Sequence, residues 1–284
     1  MAIIRYPQRF GLFSPGKVNF CLHIVKQRTD GYHELQSAIA LLNWGDQLFF
    51  DFHRNSSPPG LTLAGFADLA TSDNIIYKAF QSFQRALGHA VAPCHIEVKK
   101  QIPMGAGLGG GSSNAATCLL GLNQALNYPL SDQELLKIGQ TLGADVPVFL
   151  SQRHSWVEGI GEQLRPIQLP SCFIVLVFIP LHSCTKTLFS DPKLERQHHR
   201  LTAPIPGEMW DDQVKVNHFE ALARLRSPAI ETAFQRLQAF GQPRLSGSGS
   251  TIFLVYPDQH TAEQQQQRIQ ALQYVTTCCA LLPY

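Results

Sequence analysis

Charge of one sign is what this chain lacks: 23 Lys and Arg stand against 21 Asp and Glu, a formal net charge of +2, and the basic residues are scattered. Bulk electrostatics therefore predicts neither nucleic acid nor an anionic membrane as partner, and any anion must be held locally. No apolar run approaches the roughly 20 residues that span a bilayer; the longest covers residues 172–181. Residues 1–10 lack the apolar core of a signal peptide, so a cytoplasmic protein is expected. The seven cysteines contain no Cys-x-x-Cys pair, and Cys278 and Cys279 are adjacent. That pattern argues against a disulfide framework and a structural zinc site, and predicts reduced, mostly buried thiols. His198 and His199 stand side by side in a charged stretch and read as a solvated face. Internal repeats and low-complexity segments are absent as well.

What is present is enough chain for two cores. At 284 residues the length exceeds the about 100 to 200 residues of one domain. A shift to polar residues and glycine over residues 151–170 places a boundary near 155, giving domains 1–155 and 156–284. Residues 16–48 alternate around Asp30-Gly31 and predict strands joined by a turn. A helix should start near Ser72-Asp73-Asn74, bury Ile76, Ala79, Phe80, Phe83 and Leu87, and stop at Gly88. A strand over 95–100 leads to a glycine-rich turn. Ser112 or Ser113 then caps a helix reaching about Leu126, and Ser131 with Glu134 makes a capping box for the next. Beyond the boundary, a buried strand over 172–179, a helix from Ser227-Pro228 to Gly241, a strand over 251–256 and a glutamine-rich final helix are expected.

The glycine-rich turn carries the most chemical information. Five glycines in the seven residues 105–111 leave backbone N–H groups bare of side chains. A helix N-terminus follows them, so the two together form a concave anion site suited to phosphate. A mere connecting turn would need one glycine, and the others add an entropic cost. Gly105, Gly107 and Gly110 match the dinucleotide pattern GxGxxG weakly, because Asp132, about where the acidic partner is wanted, lies at a helix start. No Lys followed by Ser or Thr closes a Walker loop, and the protein-kinase His-Arg-Asp and Asp-Phe-Gly partners are missing.

Residues 103–116 resemble instead the central motif of the GHMP kinases, the family of galactokinase, homoserine, mevalonate and phosphomevalonate kinases. Residues 14–20 resemble that family's first motif and residues 244–251 its third, in the right order. The resemblance implies an α+β fold of two domains. The first, 1–155, would be like ribosomal protein S5 domain 2 and bind ATP; the second, 156–284, would be ferredoxin-like and bind substrate. It also implies an ATP- and Mg²⁺-dependent phosphotransferase with an alcohol acceptor. Asp145 and Lys17 would be catalytic, the carboxylate accepting the hydroxyl proton while the ammonium orients it and offsets phosphate charge. ATP would lie against Pro103, Met104, Gly105, Ala106, Gly107, Leu108, Gly109, Gly110, Gly111, Ser112 and Ser113, with Asn74, Lys100 and Asn114 nearby.

Residues 28–36, 142–149, 158–162 and 189–192 narrow the resemblance to members that act on a cytidine diphosphate-linked alcohol. The implied substrate contacts are Asn19, Tyr32, His33, Thr185, Phe189, Gly247 and Ser248. An aromatic face with hydrogen-bonding edges is what a pyrimidine requires, because stacking alone tolerates every base. A monomer or weak homodimer that binds a small molecule, no nucleic acid and no membrane is the expected partner profile. Three rival readings stand beside this one: a GHMP kinase for a smaller alcohol such as homoserine or a mevalonate derivative, a non-catalytic S5-like nucleotide- or RNA-binding module, and a nicotinamide-dependent oxidoreductase.

Overall fold

The computed structural model describes residues 9–52, 60–66, 71–181, 185–203 and 216–283. The chain gathers into two compact units, each assembled from separated stretches. The first comprises Met1–Gly16, Gly45–Ile102 and Gly109–Gln152; the second comprises Lys17–Trp44, Pro103–Leu108 and Arg153–Tyr284. A single boundary near 155 does not describe this grouping, because strand pairing gathers residues distant in sequence whereas composition reads only along the chain.

Two long strands, β1 (Arg9–Gln27) and β2 (His33–Asp51), flank the expected turn, where Gly31 sits at φ 85°. In the first unit the end of β2 pairs antiparallel with β4 (Cys94–Lys99), which pairs parallel with β3 (Leu61–Ala64). Four helices pack there: α1 (Ile75–Leu87), α2 (Gly110–Ala125), α3 (Asp132–Leu142) and α4 (Val146–Ser151). α1 begins at the Asn74 cap, whose side chain accepts the Ile76 N–H, and ends at left-handed Gly88. Ile76, Ala79, Phe80 and Phe83 form its buried face. The Ser131 and Glu134 capping box opens α3 as expected. α2 is buried nearly all round, and at Gly121 a Cβ would lie 2.3 Å from the Phe50 ring.

α2 starts earlier than expected. Gly109, at φ 70°, occupies the cap position, and Ser112 and Ser113 lie inside the first turn. Tertiary packing overrides the low helix propensity of glycine here. A Cβ at Gly110 would approach Ile102 Cγ2 to 2.9 Å, so only glycine lets the helix begin this close to its neighbour.

In the second unit, β2 pairs over Leu35–Ile39 with β5 (Ser155–Gly159), which pairs with β6 (Gln163–Pro166). A second, antiparallel sheet runs in the order β10 (Val275–Ala280), β7 (Phe173–Phe178), β9 (Ile252–Tyr256), β8 (Arg244–Leu245). Its helices are α5 (Thr185–Ser190), α6 (Glu220–Arg226), α7 (Pro228–Leu237) and α8 (Gln259–Gln270). The core joins Val175, Val177, Ile252 and Leu254 of the sheet to Leu222, Ile230, Phe234 and Leu237 of the helices. Full burial of each such side chain contributes about 1.5–3 kcal/mol.

The cysteines fit the reduced reading. Among the described residues all are free, and burial pushes the Cys21 and Cys94 thiols up to about 12. His198 does not lie on a solvated face. Its backbone N–H donates to Val25 O at 2.9 Å, and its ring packs 3.8 Å from that of His218 and 5.5 Å from that of His23. Among the described residues no helix is long and apolar enough to cross a membrane.

His154, 2% exposed, accepts the Leu41 N–H on Nδ1 at 3.1 Å, and burial pushes its pKa from 6.5 down to about 4. Between those values the unfolded chain binds more protons than the folded one, so stability rises with pH and is lost as pH falls. At about 1.4 kcal/mol per unit, the loss from pH 7 to pH 4 approaches about 3 kcal/mol. Urea unfolding at the two pH values should reveal this slope. His154→Asn, whose Oδ1 can still accept from Leu41, should remove its share of the slope and leave the share of His218, whose pKa burial also pushes down to about 4.

Candidate active site

In the first unit the residues expected at the nucleotide converge on the start of α2. Ser113 N–H donates to Gly109 O at 2.9 Å. Among the described residues the backbone amides of Gly110, Gly111 and Ser112 have no acceptor, as the geometry of a helix start dictates. Three amides at the positive end of a buried helix are ready-made for a phosphate. Behind them lies a connected polar network. Lys100 Nζ donates to Asp46 Oδ2 at 2.5 Å and to Asn114 Oδ1 at 3.3 Å. Asn114 Nδ2 donates to Asp46 Oδ2 and to Ser14 Oγ, both at 2.9 Å. The Ser14 and Ser113 hydroxyls share a hydrogen bond at 2.8 Å.

This placement sorts the expected ligands. Ser113 is fully buried and turned toward Ser14, so Ser112 is the first-turn hydroxyl left for a phosphate. Asn74 spends its side-chain oxygen on the cap of α1, and Asn114 is held inside the network. A Cβ on Gly143 would lie 3.8 Å from Ser112 Oγ, which brings the 143–147 turn beside the first turn of α2. Asp145 stands in that turn at the N-terminus of α4, half-buried, with no side-chain hydrogen bond capping the helix.

In the second unit Lys17 is 4% exposed, not solvated, and its Nζ donates to Asn19 Oδ1 at 2.7 Å. Asn19 Nδ2 passes the bond on to Ser37 Oγ at 2.9 Å. A Cβ at Gly247 (φ 57°) would come within 3.3 Å of both Lys17 Nζ and Asn19 Oδ1, so the third motif closes on the first. Asn217 Nδ2 donates to Leu245 O and Gly247 O, both at 2.8 Å, and fixes that turn. Gly107 has a packing reason of its own: a Cβ there would meet Ser246 O at 2.2 Å. Ala106 O accepts from Thr251 N–H and Leu108 O from Lys17 N–H. Met104 is 69% exposed.

α5 carries the remaining contacts. Thr185 Oγ1 and Ser248 Oγ share a hydrogen bond at 2.7 Å. One turn further on, the Phe189 ring stacks on His33 at 4.7 Å and 22° and meets Phe219 edge-on at 4.8 Å. Tyr32 is 62% exposed. His33 is buried, and that burial, with the Arg196 charge adding to it, holds its imidazole below the ordinary histidine range. Asp46, Ser14, Arg196 and Asn217 were not anticipated as site residues. Ser14 opens the first-motif stretch 14–20, and Asp46 left a sign of its own, a Gly-Asp pair inside a strand pattern where aspartate is depleted.

Family models describe the same regions. GHMP kinases N terminal domain matches residues 74–153 and GHMP kinases C terminal matches residues 192–275. The chain belongs to the GHMP kinases. Its curated relatives include 4-diphosphocytidyl-2-C-methyl-D-erythritol kinase of Xanthomonas oryzae pv. oryzae (strain MAFF 311018), 40% identical over 88% of this chain and 83% of that protein. The enzyme of that name from Acinetobacter baylyi is 39% identical over 88% of each. A crystal structure of 4-(cytidine 5'-diphospho)-2C-methyl-D-erythritol kinase superposes with a TM-score of 0.78 at 28% identity, covering 97% of this chain and all of that one (100%). Methanococcus jannaschii mevalonate kinase, at a TM-score of 0.70 and 13% identity over 97% and 99% of the two chains, shares the fold.

Proposed function

We propose that this chain transfers the γ-phosphoryl group of ATP to the 2-hydroxyl of 4-diphosphocytidyl-2-C-methyl-D-erythritol, a step of non-mevalonate isoprenoid synthesis. The observation that carries this reading is the 40% identity with kinases of that name over 88% of the chain. Fold cannot carry it, since mevalonate kinase shares the fold at 13% identity. The rival readings lose ground on particular residues. A non-catalytic binding module does not call for the joint presence of Lys17 and Asp145 with the glycine-rich turn, and the packing of Gly107 against Ser246 accounts for one glycine of the dinucleotide pattern.

Within this reading the open amides of Gly110, Gly111 and Ser112 bind phosphate oxygens. ATP would supply the phosphoryl group, and a magnesium ion bound with it would offset the phosphate charge. The Ser112 hydroxyl, in the first turn of α2, would be a protein ligand for the magnesium ion that accompanies the phosphates. Asp145 accepts the proton of the attacking hydroxyl, because an alcohol is a poor nucleophile at neutral pH. Lys17, oriented by Asn19, offsets charge on the transferring group. Tyr32, His33 and Phe189 receive the cytosine, and Thr185, Ser248 and Gly247 border the rest of the substrate. We propose further that sequence domain 1–155 supplies the nucleotide side and 156–284 most of the substrate side. The protein would work in the cytoplasm as a monomer or weak homodimer.

Turnover of the cytidylyl alcohol, homoserine and mevalonate with ATP and Mg²⁺ tests the assignment. ADP and a 2-phosphate should form from the first alone; equal turnover of the smaller alcohols would sink it. Gly109→Val should abolish ATP binding, since valine resists the left-handed φ of 70° from which α2 starts. An equilibrium titration with ATP checks this. Tyr32→Ala should raise KM for the cytidylyl substrate about tenfold, a loss of the size expected for one stacked base, and leave KM for ATP unchanged.

A further inference from the structure

Arg196 has no role in the reading above, yet its guanidinium reaches both sides of the aromatic stack. Nη2 donates to Phe189 O at 2.8 Å and Asp191 O at 2.6 Å, Nη1 to Leu194 O at 2.9 Å, and Nε to His33 Nε2 at 3.3 Å. The three carbonyls fix the end of α5 that carries Phe189. The fourth bond determines chemistry, because a guanidinium N–H can only donate and Nε2 must then present its lone pair. A neutral imidazole with a lone pair on Nε2 carries its proton on Nδ1. Burial and the adjacent positive charge both disfavour the imidazolium form. Among the described residues Nδ1 has no hydrogen-bond partner.

The segment that carries Arg196 is itself tied down. Leu201 N–H donates to Gln36 Oε1 at 2.7 Å, and Gln36 Nε2 returns a bond to Leu201 O at 3.1 Å. Arg200 reaches Glu34 and Glu158. The residue that sets the tautomer is thus anchored to the strand that bears His33.

We propose that Arg196 is the specificity-determining residue for the base: it holds His33 as the Nδ1–H tautomer and clamps Phe189 beside it. His33 then offers a fixed donor. Cytosine N3 is an acceptor and can take that donor, whereas uracil N3 carries a hydrogen and would set donor against donor in a desolvated stack. This inference rests on the cytidine reading. A site built around one buried hydrogen bond discriminates strongly against the partner that cannot make it, here roughly 100-fold.

The test uses CDP and UDP as probes, by calorimetry, on the wild-type protein, Arg196→Met and Arg196→Lys, with ¹⁵N spectra of the imidazole. Wild type should bind CDP roughly 100-fold more tightly than UDP and show His33 protonated on Nδ1. Arg196→Met should lose about tenfold in CDP affinity, bring the two nucleotides within about threefold of each other and admit the Nε2–H tautomer, with ATP affinity unchanged. Arg196→Lys keeps the charge without the planar fork and should not restore discrimination. A retained Nδ1–H tautomer and a retained preference in Arg196→Met would overturn the inference alone, since CDP binding would still stand. A wild-type protein that binds neither nucleotide would overturn the cytidine reading and this inference with it.

Discussion

Asp145→Asn is expected to lower the rate of phosphoryl transfer by about 100- to 10,000-fold while ATP affinity stays within about twofold of wild type. The substitution keeps the shape of the side chain and removes its capacity to take a proton. The selectivity of the effect follows from the fold. The side chain of Asp145 makes no capping bond to α4, so the start of that helix does not depend on its charge. The amides that would grip the phosphates belong to α2 and are untouched by the change. Single-turnover rates with saturating substrates isolate the chemical step from product release, and an ATP titration reads the ground state. A single-turnover rate within tenfold of wild type would remove Asp145 from the role of base. A matching loss of ATP affinity would mean that the carboxylate shapes the nucleotide site instead.

How much of this could be read along the chain depended on distance. α1, α3 and α7 announce themselves through caps and apolar faces a few residues long, and Asn74, Ser131 with Glu134, and Ser227 all cap as their sequence neighbourhoods suggest. The start of α2 was misplaced because three glycines look like a turn until Ile102 is packed beside Gly110. β5 and β6 fell in a stretch that reads as a polar linker, and only their pairing with β2 turns Ser155–Gly159 into a buried strand. The candidate site shows the same divide. Its loops were legible as motifs, and the stack of His33 on Phe189 joins two motif residues. The groups that hold those motifs in place were not legible: Arg196 reaches His33 across 163 residues, and Asp46 meets Lys100 across 54 and Asn114 across 68. No local pattern encodes such partners.

Asp46→Ala should accordingly be the most damaging single change to the first unit, costing about 3–5 kcal/mol of stability. Asp46 is fully buried, and its two oxygens accept four donors, Asn114 among them. Oδ1 takes the backbone N–H of Gln101 at 2.7 Å and of Ile102 at 2.9 Å; Oδ2 takes Lys100 Nζ and Asn114 Nδ2. Alanine would leave the buried Ile102 N–H without its acceptor and remove one acceptor each from the Gln101 N–H and the partly exposed Lys100 ammonium, and each unsatisfied buried donor costs about 1–3 kcal/mol. Urea unfolding measures the loss. Should the alanine variant fail to fold, Asp46→Asn separates the contributions. Its remaining oxygen can still serve Gln101 and Ile102, so the backbone is spared. Its amide faces Lys100 and Asn114 with donors instead of an acceptor, so the strand survives while the network behind the first turn of α2 loosens. Asp46→Asn should therefore lose less stability than the alanine variant and still lose ATP affinity, about tenfold. An ATP affinity equal to wild type would mean that α2 presents its three amides without help from this carboxylate.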